Sequence, residues 1–268
     1  MKINSERYEL DHPKEHLYTF KEQLSSIHPV YKNDPLNLYL LMGSRRALLI
    51  DTGCRIEPIK PIVEEIIQEK SLIIVNTHAH WDHILGNFDF HTVLIHVKEI
   101  SIISRPYNIS FLKDSPADIV EAYEPFNFMI PPAENIESVK HGDSIDLGGI
   151  SVNIHHTPGH SPGSICLLTT TGELFTGDTA YYGEQFLPPK GEFSVLLNSL
   201  KTISQLYENN KDVRLYPSHG RYPCDLTLIT KLQRGIKNID TIWEKKKFHW
   251  FFQAYKVEDE HFKYYVPN

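Results

Sequence analysis

The sequence contains few cysteines and no long apolar run. Its three cysteines, Cys54, Cys166 and Cys224, have no paired spacing, so we expect reduced structural thiols rather than a disulfide framework. No stretch of about 18 apolar residues occurs, which predicts that nothing spans a membrane. The opening heptapeptide, MKINSER, lacks the apolar segment of a secretory signal. Together these absences predict a cytoplasmic protein.

The sequence also lacks an excess of positive charge. Lysine and arginine total 27 against 34 aspartates and glutamates, for a net charge of −7. Proteins that bind nucleic acid through charge need a basic surface, so we expect no nucleic-acid partner. Hydrophobic residues make up 41% of the 268 residues, which is enough for the core of one large domain.

Apolar runs separated by turn residues describe alternating strands and helices. Runs at 36–41 and 46–50 predict strands, a helix runs from Pro58 to about Lys70, and a strand at 72–75 completes a βαβ pattern. Further elements are predicted as an edge strand at 17–20, strands at 92–96, 138–140, 144–147, 150–154, 164–168, 173–176 and 213–216, and helices at 84–87 and 196–207. The fold class is therefore α/β, with layered sheets and helices.

The two halves of this pattern look alike. A strand ends in the turn Asp51-Thr52-Gly53 in the first half and in Gly177-Asp178-Thr179 in the second. A helix follows in each half, and the next strand delivers a histidine at its end, His78 or His219. Because polar residues occupy matching strand ends, we predict one sheet-rich sandwich with the functional site along its rim.

Residues 105–133 fall outside this pattern. They carry five prolines among aromatic side chains, which suits either a lid or a surface excursion that covers the core. Together with residues 186–189 they could line an apolar groove for an acyl group. The main domain is expected at 1–222, including this lid candidate.

The C-terminal residues 223–268 are expected to pack on the same domain. Residues 225–247 predict one amphipathic helix, and 248–255 with 261–266 predict a hairpin. Bulky aromatic residues in this segment suit either a homodimer contact or a cap on the edge of the sandwich.

The densest set of potential metal ligands is the segment NTHAHWDH at 76–83. His78 and His80 follow a predicted strand two residues apart, so both rings can face one ion. Asp82 and His83 lie where the chain must turn away, and they can face a second ion. Neutral imidazole and carboxylate ligands suit zinc, manganese or iron. The sequence therefore predicts a metal site here.

Three later motifs each add one candidate ligand. They are TPGHSPG with His160, TGDT with Asp178, and PSHG with His219. In this order, and over roughly residues 36–222, the motifs resemble the metallo-β-lactamase-fold hydrolases, among them glyoxalase II, acyl-CoA thioesterases and lactonases. The resemblance implies an αβ/βα four-layer sandwich that binds two metal ions, zinc in the first instance, with iron or manganese as alternatives.

The same resemblance implies a role for each candidate residue. His78, His80 and His160 would bind the first ion, Asp82, His83 and His219 the second, and Asp178 would bridge them. Asp51 would hold ligand histidines in orientation and tautomer. Two adjacent cations lower the pKa of a shared water, so that a metal-bound hydroxide can attack an acyl carbon. Asp82 would also orient the water or accept its proton.

The substrate is predicted from smaller features. A tyrosine three residues after Asp178, Tyr181, resembles that of the lactonases and some acyl-CoA thioesterases, whose hydroxyl can reach the substrate; the alternative is that Tyr181 packs beneath the site. We expect a small-molecule acyl thioester, such as an acyl-CoA, with a lactone as the alternative. An alternative of another class is a mononuclear iron oxygenase that resembles persulfide dioxygenases and uses His78, His160 and Asp178.

Overall fold

A computed structural model places residues 5–268 of the protein, and residues 1–4, within the polar opening heptapeptide, lie outside the described part. The strands are β1 (Tyr8–Lys14), β2 (Leu17–Glu22), β3 (Leu36–Met42), β4 (Arg46–Ile50), β5 (Ser71–Val75), β6 (Thr92–His96), β7 (Tyr107–Asn108), β8 (Met129–Ile130), β9 (Asn135–Val139), β10 (Ser144–Asp146), β11 (Ser151–His156), β12 (Ile165–Thr169), β13 (Glu173–Gly177), β14 (Gly183–Phe186), β15 (Arg214–Pro217), β16 (Lys247–His249), β17 (Ala254–Glu258) and β18 (Phe262–Pro267).

The helices connect these strands or extend from their ends. They are α1 (Leu24–Ile27), α2 (Lys60–Ile67), α3 (Trp81–Ile84), α4 (Ile100–Ile103), α5 (Ala117–Tyr123), α6 (Phe193–Asn209) and α7 (Leu226–Lys237). Short 3-10 turns lie at Asn87–Asp89, Val97–Glu99, Ser110–Leu112, Glu124–Phe126, Lys190–Glu192, Ile239–Thr241 and Trp243–Lys245. Among the described residues, no helix is both long and apolar enough to cross a membrane.

The first sheet contains seven strands in the order β1-β2-β3-β4-β5-β6-β9. Strands β1 to β4 pair antiparallel, and β4, β5, β6 and β9 pair in parallel. Helix α2 joins β4 to β5 and buries one apolar face against the sheet, with Ile62, Val63 and Ile66 in the shared cluster. Both faces of the central strands are covered, which explains why β3 and β4 are apolar at most positions.

The second sheet has the order β10-β11-β12-β13-β15. Strands β13 and β15 are parallel, and α6 lies between them in the chain. Helices α6 and α7 cover its outer face with apolar residues four apart, such as Leu196 with Leu200 and Leu228 with Leu232. Asp225 caps α7, because its side chain accepts a hydrogen bond from the Thr227 backbone N–H at 2.9 Å.

A third apolar cluster joins the two sheets. It contains Leu48 and Ile50 from the first sheet and Val152, Leu167 and Phe175 from the second. Helices, sheet, sheet and helices are therefore stacked as the αβ/βα four-layer sandwich that the sequence predicts. The predicted likeness of the halves is also present, since β4-α2-β5 and β13-α6-β15 are both parallel β-α-β units.

The C-terminal residues differ from the predicted helix and hairpin. Helix α7 ends at Lys237 instead of near residue 247, and two 3-10 turns follow. The apolar spacing that predicted a longer helix comes from Ile239, Ile242 and Trp243, which pack on the same cluster from those turns. Apolar periodicity reports burial and not the backbone conformation that achieves it.

The predicted strand at 248–255 is broken as well. It divides into β16 and β17, separated by a turn in which Gln253 has a φ of +48°. Only β17 and β18 form the predicted hairpin. These strands join β14 in a four-stranded sheet of order β14-β18-β17-β16, in which β14 and β18 are parallel. The C-terminal strands therefore extend a sheet that includes β14 from the preceding part of the chain.

Three smaller predictions need correction. The predicted edge strand, β2, is an inner strand, because the polar β1 covers its free side; a polar, proline-containing strand suits an edge and carries little apolar pattern. The predicted helix at 84–87 lies earlier, as α3 within the ligand segment. The strand predicted at 138–140 begins earlier, as β9, and it pairs with β6 in the first sheet.

Residues 105–133 form a folded excursion. Strands β7 and β8 pair at its base, and Ile109, Leu112 and Ile119 are buried in the outer cluster of the first sheet. The Tyr123 hydroxyl donates to the Cys54 carbonyl at 2.6 Å. The excursion thus covers the core, and its movement as a lid stays a prediction.

Candidate metal centre

The predicted ligands meet at one rim of the sandwich. Asp51 follows β4, the segment 76–83 follows β5, Asp178 follows β13, and His219 follows β15. Parallel strands of a β-α-β unit end at the same edge of their sheet, so each sheet delivers two of these groups to that edge. The Gly177 backbone approaches the first sheet closely, since a Cβ there would lie 2.9 Å from the Thr77 Cβ.

His78, His80 and His160 form one trio of potential ligands, with one donor atom from each within 4.8 Å of the others. His80 Nδ1 lies 3.0 Å from His78 Nε2 and 2.8 Å from His160 Nε2. His160 comes from the loop between β11 and β12, so the trio joins the two sheets. We call these residues the first trio.

Asp82, His83 and His219 form a second trio within the same distance limit. Asp82 Oδ2 lies 3.6 Å from His83 Nε2 and 3.5 Å from His219 Nε2. A hydrogen bond from the Asn37 backbone N–H to the Ser218 carbonyl, 2.7 Å long, ties the His219 turn to β3 of the first sheet. This trio therefore also depends on both sheets.

Asp178 lies between the two trios. Its Oδ1 is 3.2 Å from His219 Nε2 and 3.5 Å from His83 Nε2, whereas its Oδ2 is 3.5 Å from His160 Nε2. Asp178 Oδ1 and His83 Nε2 are buried yet make no hydrogen bond. Buried polar atoms without partners are costly, and a cation between them would satisfy both. The donor set thus fits two metal ions.

Four of the histidines are held through the ring nitrogen that faces away from this centre. The contacts are His78 Nδ1 with Thr77 Oγ1 at 3.1 Å, His83 Nδ1 with Asp51 Oδ2 at 2.8 Å, His160 Nδ1 with the Phe186 carbonyl at 3.0 Å, and His219 Nδ1 with the Asn33 carbonyl at 3.2 Å. Such contacts set the tautomer, and here they direct Nε2 of each ring toward the centre.

Asp51 supports both the backbone and a ring of the ligand segment. It accepts from the Thr77 backbone N–H at 2.7 Å and the Thr77 hydroxyl at 2.8 Å, in addition to its contact with His83. It is fully buried and has a φ of +65°, a conformation uncommon for residues other than glycine. Residues in such conformations persist where the surrounding contacts determine them, which is the case here.

The pKa values follow from burial and from the neighbouring charges. Burial lowers the pKa of His78 well below its usual range and that of His80 to about 3, which favours the neutral imidazole that binds metals. Burial also opposes charge on His83, but the carboxylates of Asp82 and Asp51 raise its pKa to about 10. Burial would raise the pKa of Asp178, but the imidazoles of His219 and His83 hold it well below its usual range. The carboxylates of Asp51, Asp82 and Asp178 therefore stabilise positive charge at this site.

Glu99 is a supporting residue that the sequence did not reveal. It is fully buried, accepts from the Ala79 backbone N–H at 2.5 Å and the Gly163 backbone N–H at 2.8 Å, and also accepts from the Ser161 hydroxyl. Nothing in the local segment HVKEI distinguishes it from a surface glutamate, so only a recognised pairing with the distant loop could have found it.

A cavity of about 210 Å³ opens above the centre. Its floor includes His80, Asp82, His160, Asp178 and His219, and its wall is mostly aromatic. The wall contains Leu24, Tyr31, Trp81, Tyr181, Phe186 and Phe252, with Lys32, Asn33 and Glu184 as its polar members. Of the residues predicted to line an acyl groove, Phe186 lines this cavity, whereas residues 105–133 and 187–189 do not, although Phe111 of the excursion contacts Trp81.

Tyr181 combines the two predicted alternatives. It is fully buried, with its ring 5.0 Å from that of His219, and it also lines the cavity. Its hydroxyl oxygen accepts from Asn33 Nδ2 at 3.4 Å, which leaves the hydroxyl proton free to be donated. Burial raises the pKa of Tyr181 well above its usual range, so the hydroxyl stays protonated.

Comparison with known proteins identifies the family. The sequence model of the Metallo-beta-lactamase superfamily matches residues 32–219. The chain belongs to this superfamily. It is similar to the acyl-coenzyme A thioesterase MBLAC2 of Gallus gallus, 28% identical over 200 residues that cover 68% of this chain and 72% of that protein. It is also similar to the cytoplasmic isozyme of hydroxyacylglutathione hydrolase from Saccharomyces cerevisiae, 29% identical over 241 residues covering 84% and 79%.

Solved structures agree on the fold. A metallo-beta-lactamase from Pontibacter korlensis superimposes with a TM-score of 0.60 at 16% identity, over 87% of this chain and 100% of that one. A metallo-beta-lactamase family protein from Thermus thermophilus superimposes with a TM-score of 0.59 at 20% identity, over 89% and 86%. These structures confirm the fold, and the family model together with the named relatives confirms the predicted superfamily and the class of metal-dependent hydrolase.

Proposed function

We propose that the protein is a binuclear-metal hydrolase that cleaves an acyl thioester, such as an acyl-CoA. The observation that carries the proposal is the position of Asp178, whose two carboxylate oxygens face different trios of donors. A carboxylate placed in this way can serve two cations, and paired cations suit hydrolysis. Imidazole and carboxylate donors favour zinc, with iron and manganese as alternatives.

Bound metals would supply an activated water and polarise the substrate carbonyl. The chain itself supplies a proton acceptor, because Asp82 lines the cavity and can orient a water at the floor or take its proton at a carboxylate oxygen. It also supplies a donor, because the Tyr181 hydroxyl can donate a hydrogen bond to the acyl oxygen or a proton to the departing sulfur. Asp51 keeps the His83 ring in one orientation throughout.

The aromatic wall is suited to hold the acyl group. Phe252 contacts both Phe186 and Tyr31, with ring centres 4.9 Å and 5.7 Å apart, respectively. A group of adjacent aromatic side chains can bind a hydrocarbon chain and exclude water from the floor of the cavity. The wall therefore suits a carbonyl with an apolar substituent more than a strongly charged one.

The comparisons support a thioester over the two alternatives. One relative is named as an acyl-coenzyme A thioesterase and another as a hydroxyacylglutathione hydrolase, and both names describe hydrolysis of an acyl group. A lactone is the second candidate substrate, because the Tyr181 hydroxyl could equally well donate its proton to the ring oxygen of a lactone. A mononuclear iron oxygenase would bind its ion through His78, His160 and Asp178, so the second trio would bind no ion.

The main segment 1–222 and the C-terminal segment 223–268 are proposed to form one working domain. Strand β14 of the first pairs in parallel with β18 of the second, and Phe252 of the second segment reaches the cavity wall. The homodimer contact and the cytoplasmic location stay predictions.

The proposal is tested by metal analysis together with a substrate panel. The purified protein should hold about two metal ions per chain and should hydrolyse acyl-CoA with a higher kcat/KM than S-lactoylglutathione, a homoserine lactone or nitrocefin. Preference for the lactone would replace the thioester by the second candidate. A single iron per chain with no hydrolysis of any of the four would overturn the proposal.

A further inference from the structure

Two exposed aromatic rings from distant chain segments lie next to residues that line the cavity. Phe111 of the excursion is 37% exposed and Phe251 of the β16–β17 turn is 39% exposed. Their ring centres lie 6.5 Å apart. We call this pair the aromatic rim.

The rim is continuous with the cavity wall. Phe111 contacts Trp81 at 5.8 Å between ring centres, and Phe251 contacts Tyr31 at 6.0 Å and Phe252 at 5.3 Å. Trp81, Tyr31 and Phe252 all line the cavity. Aromatic contacts thus connect residues that line the cavity to two rings that are partly exposed to solvent, and adjacent exposed apolar rings are candidates for a binding surface.

The cavity is too small to enclose a large acyl group. Its volume of about 210 Å³ is below the roughly 300–1,000 Å³ of pockets that bury a drug-sized ligand. We propose that the aromatic rim binds the hydrocarbon chain of acyl groups that extend beyond the cavity. This inference rests on the proposed thioester hydrolysis and adds the substrate class, namely acyl groups with long alkyl chains.

The test is a series of acyl-CoA substrates from acetyl to long unbranched chains, assayed on wild type, Phe111→Ala and Phe251→Ala. Met129→Ala is the matched control, because Met129 is 40% exposed, much like the rim residues, and lies in β8 of the same excursion as Phe111. In wild type, kcat/KM should rise with chain length. The rim variants should lose about tenfold on long chains, the scale on which apolar sites discriminate, and nothing on acetyl-CoA.

Each result has a distinct meaning. Equal losses of kcat/KM on short and long acyl chains would show that the rim residues only support the fold. Unchanged kcat/KM on long chains would also overturn the inference. Loss of dimerisation or of vesicle binding in Phe251→Ala, with chain-length preference intact, would assign the rim to a second copy or a lipid surface instead. If wild type hydrolyses no thioester of any length, the proposed function fails before the rim is tested.

A second inference rests on Glu99 and is independent of the substrate. Its Oε2 accepts from Ala79, which stands between His78 and His80, and its Oε1 accepts from Ser161, directly after His160. One buried carboxylate is therefore bonded to both chain segments that supply the first trio. A Cβ on Gly163 would lie 2.6 Å from Glu99 Cγ, so the loop packs closely on this side chain.

The geometry points to Glu99 as a positioning residue that sets the spacing of the first trio. Glu99→Gln keeps the size of the side chain but replaces one acceptor oxygen by an NH₂ group, which faces N–H or O–H donors. Zn²⁺ affinity should fall by about 10- to 100-fold, the range for residues that orient metal ligands. Zn²⁺ titration against a competing chelator measures this loss, and the absorption spectrum of the Co²⁺-loaded protein should change with it.

Glu173→Gln is the matched control. Glu173 is also fully buried and accepts hydrogen bonds, from Thr169, Thr171 and Lys14, but it lies at the far end of β13. Its substitution should lower Tm without changing Zn²⁺ affinity or the Co²⁺ spectrum. If Glu99→Gln behaves in the same way, Glu99 is only structural. If Glu99→Gln does not fold, Ser161→Ala removes a single donor, and an unchanged Zn²⁺ affinity there would overturn the inference.

Discussion

The floor of the cavity and its wall are held in place by different forces. Around the floor, the outer nitrogens of His78, His83, His160 and His219 each contact an oxygen atom, which for His83 belongs to Asp51. In the wall, the rings of Phe186 and Phe252 pack against each other and against the ring of Tyr265. Hydrogen bonds fix orientation sharply, whereas apolar packing tolerates exchange of similar volumes. The floor should therefore govern chemistry, and the wall should govern selection among substrates.

The strongest test of this contrast is Asp178→Ala. Removing the carboxylate between the two trios should lower hydrolysis by about a thousandfold or more and reduce bound metal below two ions per chain, because both trios lose a shared donor. Rates and metal content measure the effect, and circular dichroism should show a folded protein. Asp146→Ala, at an exposed position in β10, is the control. Full activity in Asp178→Ala would remove the basis of the proposed function.

Tyr181→Phe asks whether a wall residue takes part in chemistry. Loss of the hydroxyl should lower kcat by about tenfold to a thousandfold, since it removes one polarising donor while the ring still packs on His219. Metal content should not change. Tyr182→Phe is the matched control, because its ring stacks on Phe262 and lies outside the cavity lining. Equal rates in the two variants would leave Tyr181 a packing residue.

Asp51→Asn tests the network beneath the floor. Asparagine tolerates a positive φ, so the backbone should be retained, but its NH₂ group cannot accept from Thr77 or from His83. Metal affinity and kcat/KM should both fall by about 10- to 100-fold. Chelator competition and steady-state rates provide the measurements. A variant with unchanged metal affinity would show that the His83 orientation does not depend on Asp51.

Phe252→Ala should have the smallest effect. The loss of one ring from the wall should raise KM for an apolar acyl-CoA by about tenfold, with kcat and metal content nearly unchanged, because the floor is intact. Phe248→Ala, on the neighbouring strand and outside the cavity lining, is the control for the C-terminal sheet. A fall in kcat as large as that of Tyr181→Phe would erase the distinction between floor and wall.

The floor of the cavity could be predicted from the sequence, whereas most of its wall could not. The segment 76–83 was predictable because the strand geometry places residues two apart on one side, so local spacing already defines the direction of His78 and His80. Apart from Tyr181 and Phe186, the wall residues had no such local pattern. Tyr31 and Phe252 are 221 positions apart in the sequence, and Phe252 lies in the turn between β16 and β17, which the apolar run did not reveal.

The sequence by itself determined the α/β class and the two β-α-β units, and it predicted the seven candidate ligands, because periodicity and ligand chemistry are local properties. Only the tertiary structure decided that β14 would pair with β18, that Glu99 would join the two segments of the first trio, and that rings from both chain ends would close over the floor. Those contacts depend on how the two sheets stack, which is a property of the assembled chain and not of any one segment.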